Sequence, residues 1–404
     1  MVELLVVVMR TTLLHRRRYG KRTWAMKRRL NGPRCEEQLD VRKVRQSGDV
    51  LGIPGIKQKG YEMRAWVYHG NEDLRIEDVP EPIPGPGEVR VRIAYNGICG
   101  SDLHEIFNGP MFTPLETAHP TTGHRGPVVL GHEASGIVDA VGSGDIDVEV
   151  GQRVAIEPVF RVPGDDANYN LDAAFYGLSL NGFLADCAVV PRGALHVLPD
   201  EVSLMDGALS EPIAVAWRAV ERADLSVDDS VVVFGGGPIG IAAALSLRAK
   251  KINRIVIVEP AQRRRGVVRG MGFDTLDPTS ADFRDNLASL AGSGVQACIN
   301  AAGVAPVMAQ AIDILAPGGK LMVVATHLEP VPIDLNQLLM AEKTILTSIG
   351  YRDDFPNVIE QQARGAFPTS SWVETVPFDA LVETGLSRLR TGEAIKTLIE
   401  VNGG

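Results

Sequence analysis

Ser230-Val231-Val232-Val233-Phe234 runs directly into Gly235-Gly236-Gly237-Pro238-Ile239-Gly240, and an Ala/Leu-rich stretch follows through Ala249. An apolar run unbroken by polar alternation suits a strand buried on both faces, which is how parallel sheets use their strands. The spacing Gly235-x-Gly237-x-x-Gly240 says little by itself, but it stands here in the strand–turn–helix context that gives it meaning. The first glycine permits a tight turn, the second lets backbone approach a pyrophosphate, and the third allows close helix–strand packing. A helix opening at Pro238 and Ile239 offers free N–H groups and a partial positive charge to those phosphates.

The next strand, Arg254–Val258, ends at Glu259, nineteen residues beyond Gly240. An acid there can hydrogen-bond both ribose hydroxyls and repel a 2′-phosphate, which favours NAD over NADP. Arg263, Arg264 and Arg265 pull the other way, because a nearby arginine can accommodate that phosphate. Strands expected at Gln296–Asn300, Lys320–Ala325 and Thr344–Ile349 alternate with helical stretches, the rhythm of a doubly wound parallel sheet. Cys298 falls inside one of them and reads as core.

Upstream, from Met63, the chain has a different texture. Arg64–Tyr68, Leu74–Val79, Val89–Tyr95, Ala134–Val141, Arg153–Glu157 and Gly182–Val190 read as short strands separated by Gly/Pro punctuation. Repeated short strands without helices between them suggest a partly closed β-barrel. Cys187, in the last of these strands, reads as packing.

Within that β-rich part lie Gly97-Ile98-Cys99-Gly100-Ser101-Asp102-Leu103-His104 and, thirty-odd residues later, Gly131-His132-Glu133. A thiolate, an imidazole and a carboxylate brought together by one long loop are the ligand types of catalytic zinc, which keeps an open position for water or substrate. Either motif alone means little; their conjunction ahead of a dinucleotide turn carries the expectation. Ser101 and His104 beside Cys99 suggest a short path for a proton leaving an alcohol. Glu211, in Ser210-Glu211-Pro212 ahead of an apolar helical run, is poorly suited to be a surface acid and is a candidate further group at the metal.

Composition narrows the setting. Four cysteines, Cys35, Cys99, Cys187 and Cys298, lie far apart and form no C-x-x-C pair, so a disulfide framework is not expected and a reducing cytoplasm is. No apolar run approaches the ~18–20 residues of a membrane span. The formal charge of -9 hides an asymmetry, because residues 1–62 hold 15 Lys/Arg against 6 Asp/Glu and the remainder holds 26 against 44. So acidic a body excludes nucleic acid as the expected partner. Its scarcity of lysine fits either a salt-rich cytoplasm or a genome that favours arginine. The basic segment 1–62 could be a transit peptide, a basic arm, or a disordered upstream stretch included by the start assignment, with Met63 the first working residue. We favour the last, since an alternating strand pattern begins at once from Met63.

With these residues in place, the chain from Met63 onward resembles the zinc-dependent medium-chain dehydrogenases. The matching motifs are Gly97–His104, Gly131-His132-Glu133, Ser210-Glu211-Pro212 and Gly235–Gly240, in that order. The resemblance implies an α/β protein that combines a GroES-like β-barrel catalytic domain with a Rossmann domain. The expected limits are 63–212 for the catalytic domain, 213–352 for the NAD-binding domain and 353–404 for a return to the first. The branch most similar is that of the 2,3-butanediol (acetoin) dehydrogenases, with sorbitol dehydrogenases close; threonine and glucose dehydrogenases of the same family are the wider alternatives. The stretches Asn108-Gly109-Pro110 through His119-Pro120, Tyr169-Asn170-Leu171-Asp172 and Ile349–Pro356 carry that similarity.

The family pattern implies that Cys99 and His132 bind zinc directly. It places Glu133 as the third contact and Glu211 on or near the metal through water, an order the sequence leaves open. Many members hold a second, structural zinc with four cysteines, whereas Val159–Phe175 here has none, so one zinc per chain is expected. The implied reaction is reversible oxidation of a small secondary alcohol or diol with NAD(H). In it Ser101 takes the hydroxyl proton and passes it through the cofactor ribose toward His104. A homo-oligomer, dimer or tetramer, is also implied. A non-catalytic NADH-binding redox sensor is the reading from another class, and retention of Cys99, His132 and Ser101 weighs against it.

Overall fold

The computed structural model describes residues 61–161, 174–292 and 294–403. The basic segment 1–60 and the cysteine-free stretch 162–173, with Tyr169–Asp172, lie outside the described residues.

The β-rich part opens with β1 (Glu62–Gly70), β2 (Asp73–Pro80) and β3 (Glu88–Gly97), followed by helix α1 (Gly100–Asn108). It continues through β4 (Val128–Val129), β5 (Glu133–Val141), β6 (Arg153–Ile156), β7 (Val159–Phe160), β8 (Ala174–Phe175), β9 (Cys187–Pro191) and β10 (Leu195–Val197). One sheet runs β2-β1-β4. A larger one contains β10-β6-β5-β3 with β9 also on β3. The two sheets close on a common core in which Trp66 and Tyr68 of β1 pack with Val89, Ile93, Val154 and Ile156. The expectation of one long loop from Gly97 to Glu133 is corrected here, because residues 100–108 of it form the helix α1. That helix has Cys99 as its N-cap, and the Cys99 N–H donates to Asp102 Oδ2 at 2.9 Å.

Two helices, α2 (Leu204–Ala208) and α3 (Ser210–Ala223), lead into the second part. Its elements are β11 (Ser230–Phe234), α4 (Pro238–Ala249), β12 (Arg254–Val258), α5 (Gln262–Gly270), β13 (Asp274–Leu276), α6 (Phe283–Ala291), β14 (Val295–Asn300), α7 (Ala305–Ile314), β15 (Leu315–Val323), α8 (Leu335–Met340) and β16 (Thr344–Thr347). All neighbouring strands pair in parallel, in the order β13-β12-β11-β14-β15-β16. Both faces of the sheet are covered, which explains the apolar run in β11. Val231 and Val233 join the core shared with α3 and α4, while Val232 and Phe234 join the opposite core with Phe283 and Met308.

After α9 (Phe355–Ala363) the chain forms β17 (Val373–Pro377), α10 (Ser387–Arg390) and β18 (Lys396–Glu400). β18 pairs antiparallel with β3, so the last strand enters the larger sheet of the β-rich part. Its alternation serves two cores: Ile399 packs into the barrel and Leu398 into the core shared with α3. Cys187 and Cys298 are buried, and burial pushes the Cys187 thiol up to about 12.

Candidate metal centre and cofactor crevice

Strand pairing brings the metal candidates together. β3 and β5 run antiparallel with Gly97 opposite Glu133, so the turn leaving β3 and the residues entering β5 meet at one place. Gly97 is required there, since a Cβ would stand 1.9 Å from Glu133 Oε2. One donor atom each from Cys99, His132 and Glu133 lies within 4.8 Å of the others. Cys99 is half-buried, while His132 and Glu133 are buried.

The surroundings orient these donors. His132 Nδ1 faces Asp102 Oδ1 at 3.4 Å, and Asp102 is fully buried. A carboxylate on Nδ1 keeps the proton there and leaves Nε2 as the lone-pair nitrogen a metal needs. Burial opposes charge on His132, but Asp102 and Cys99 outweigh it and hold its pKa well above the ordinary imidazole value. Glu133 gives one oxygen to a buried ion pair with Lys396, while its other oxygen is buried without a hydrogen-bond partner. A buried carboxylate oxygen lacking a donor beside a thiol and an imidazole fits a divalent cation with mixed N, O and S preference, which is zinc's.

Glu211 lies outside that group of three. It sits in the first turn of α3 and is buried. Burial first, and then the charge of Glu133, push its pKa up to about 8, while His132 and Lys396 oppose the shift. The buried Tyr351 phenol lies close enough for the two groups to affect each other's titration. Ser101 Oγ is 3.1 Å from His132 Nε2. His104, one turn along α1, is half-buried and makes no hydrogen bond among the described residues, to Ser101 or to any other group.

The Gly-rich turn has the shape its spacing predicts. Gly235 has φ +108, and a Cβ on Gly240 would stand 1.9 Å from Gly235 O. Gly237 caps α4 and opens on free space, with Pro238 and Ile239 in the helix's first turn. Glu259 is buried and bridges the turn, accepting from the Gly236 N–H at 2.7 Å and the Ala261 N–H at 2.9 Å. Arg265 is committed to the fold through Glu259 O at 2.7 Å and Asp277 at 2.8 Å. The residues therefore fit a dinucleotide, with a clear backbone path over Gly237 and an acid held at the end of β12.

Asp102, Lys396 and Tyr351 are the site residues that sequence reasoning missed. Asp102 stands in plain view between Ser101 and His104. Lys396 announces itself more faintly, as a lone lysine in the mostly apolar stretch 394–401.

Residues 85–200 match the family model of the alcohol dehydrogenase GroES-like domain, and residues 238–364 match that of the zinc-binding dehydrogenases. The chain belongs to the zinc-dependent medium-chain dehydrogenase/reductase family, and it is an oxidoreductase acting on CH–OH groups. It is 37% identical over 348 residues to an (R,R)-butanediol dehydrogenase of Bacillus subtilis, an alignment covering 84% of this chain and all of that one. It is 34% identical to an (R,R)-butanediol dehydrogenase of Neisseria gonorrhoeae over 354 residues, again 84% of this chain and all of the relative. A crystal structure of 2R,3R-butanediol dehydrogenase from Bacillus subtilis superposes with a TM-score of 0.80 at 36% identity, over 84% of this chain and the whole of that one.

Proposed function

We propose that the chain interconverts 2,3-butanediol and acetoin with NAD(H), using one zinc held by Cys99, His132 and Glu133. The observation that carries this reading is full-length similarity to butanediol dehydrogenases together with that buried Cys/His/Glu group. Bound there, zinc would polarise the substrate oxygen, and NAD would take the hydride. Asp102 orients His132, and Lys396 holds Glu133 in place. Glu211, outside the group of three, is the alternative carboxylate for the metal. Ser101 is the group that receives the hydroxyl proton, and His104, further along α1, returns it to solvent. Glu259 favours NAD over NADP, an argument helped by the engagement of Arg265 with Asp277.

The cytoplasm is the proposed setting, in keeping with free Cys99, Cys187 and Cys298. Among the described residues no helix is long and apolar enough to cross a membrane. A homo-oligomer is proposed through the β16 edge of the parallel sheet. There Leu335, Leu339 and Met340 of α8 are each more than 70% exposed.

The test is NADH formation by the purified protein with (R,R)-, (S,S)- and meso-2,3-butanediol, and sorbitol for comparison, each repeated after chelation. A chelator-sensitive rate on butanediol, fastest with the (R,R) isomer named for the relatives, is the expected result. A rate on sorbitol alone would overturn the substrate while leaving the zinc chemistry standing.

A further inference from the structure

Asn300 ends β14 near the middle of the parallel sheet and is fully buried. Its Oδ1 accepts from the backbone N–H groups of Ala302 and Gly303, at 3.1 and 3.4 Å. Two backbone donors fix the amide's orientation, because the flipped amide would set N–H against N–H. Nδ2 therefore points the other way, donating to Met308 Sδ and His327 Nε2, each at 3.2 Å. An imidazole nitrogen that accepts carries no proton, so His327 holds its proton on Nδ1. That N–H has no acceptor among the described residues, and the ring is only half-buried.

His327 is held over the carboxyl end of the sheet. The N–H groups of Val324 and Ala325 both donate to Asn300 O at 3.1 Å, which clamps the chain leaving β15 onto the end of β14. The loop after β14 abuts the glycine turn: Ala301 N–H donates to Phe234 O at 2.9 Å, and a Cβ on Gly235 would stand 3.2 Å from the Ala301 carbonyl. On its other side a Cβ on Gly303 would stand 2.7 Å from Thr326 O. The Gly235 turn, Ala301–Gly303 and Thr326-His327 thus form one wall across the ends of β11, β14 and β15.

The strand order reverses between β11 and β14, the place where a doubly wound sheet takes a dinucleotide across its carboxyl ends. Glu259 on β12 marks the adenosine-ribose end and Gly235–Gly240 the pyrophosphate, so the other half of the cofactor lies over β14 and β15. We propose that His327 is a cofactor-binding residue whose Nδ1–H donates to an oxygen of the nicotinamide–ribose half of NAD(H), and that Asn300 is the positioning residue that sets its tautomer. This inference rests on the NAD(H)-dependent reading above. It needs a neutral ring with a fixed proton, and the Asn300 amide supplies that condition.

Equilibrium binding of NADH and of AMP to the purified enzyme tests it without any turnover. AMP reaches only from Glu259 to the pyrophosphate turn. His327→Ala is expected to weaken NADH about tenfold, the worth of one hydrogen bond, while AMP affinity is unchanged. His327→Asn, which places an amide donor near the position of Nδ1, is expected to recover most of the loss. Unchanged NADH affinity in His327→Ala would overturn the proposal, and so would an equal loss for NADH and AMP, the mark of a disturbed fold. Failure of the unaltered protein to bind NADH would instead sink the cofactor reading itself, and the proposal with it.

Discussion

Lys396 and Glu133 form an ion pair inside the protein, with the ammonium 1% and the carboxylate 0% exposed. The lysine also donates to Ile98 O at 2.8 Å, so one side chain from the last strand ties down both ends of the metal loop. Burial works against its charge, but Glu133 and Cys99 more than compensate and raise its pKa above the ordinary lysine value. Two charges removed from water are costly, and the pair is tolerable only because each compensates the other.

Removing one partner should therefore hurt more than removing both charges. Lys396→Met is expected to destabilise the metal-stripped protein by about 3–5 kcal/mol in urea unfolding, because Glu133 is left charged and unpaired. The double change Lys396→Met with Glu133→Gln should recover a large part of that loss. A double variant less stable than the single one would show that packing, not stranded charge, sets the cost.

Asp102 acts through His132. Asp102→Asn keeps an oxygen for the Cys99 N–H and nearly the same volume, but it no longer presents a charge to His132 Nδ1. Zinc affinity, measured by competition with a chromophoric chelator, should fall about 10- to 100-fold. The same variant should unfold at nearly the wild-type urea concentration. Unchanged zinc affinity would mean that the imidazole needs no carboxylate behind it.

These pairs also mark where sequence reading reaches its limit. The strands of the parallel sheet were legible because burial on both faces leaves an apolar run, as in Val231–Phe234, and the glycine turn followed from local spacing. Cys99, His132 and Glu133 were legible as ligand types. The helix α1 was not, because its N-cap is a cysteine and its first residues, Gly100-Ser101-Asp102, look like a turn. Lys396 was missed for a different reason. Its partner lies 263 residues away, and they meet only through the register of β18 and β5 on β3. Non-local strand pairing of that kind leaves no trace in local pattern.

Glu211 gives a pH-dependent signature. Its pKa is pushed up to about 8, chiefly by burial and then by the charge of Glu133. A carboxyl with a raised folded-state pKa holds its proton more tightly folded than unfolded, so its contribution is fully present below the unfolded value and is lost as pH rises through the folded one. In metal-stripped protein, stability should fall between about pH 4.5 and about pH 8, by up to ~1.4 kcal/mol per pH unit for this one group. Glu211→Gln should flatten that slope and be the more stable form at pH 8. A slope that survives in the glutamine variant would assign the titration elsewhere.

The outer edge of the parallel sheet supplies the last expectation. Among the described residues β16 has a neighbour on one side only, and beside it α8 carries Leu335, Leu339 and Met340 with no residue of the helix buried. Leu335 and Leu339 are four residues apart and so stand on one face of the helix. An unpaired strand edge next to so much exposed apolar surface is an association site unless it is covered, and a second copy of the chain would cover it with matching geometry. Leu335→Glu with Leu339→Glu should shift the protein toward monomer in sedimentation velocity, because burying two carboxylates in the contact is unfavourable, while the fold is kept since neither side chain is in the core. Wild-type protein that sediments as a monomer at micromolar concentration would remove this edge as the contact.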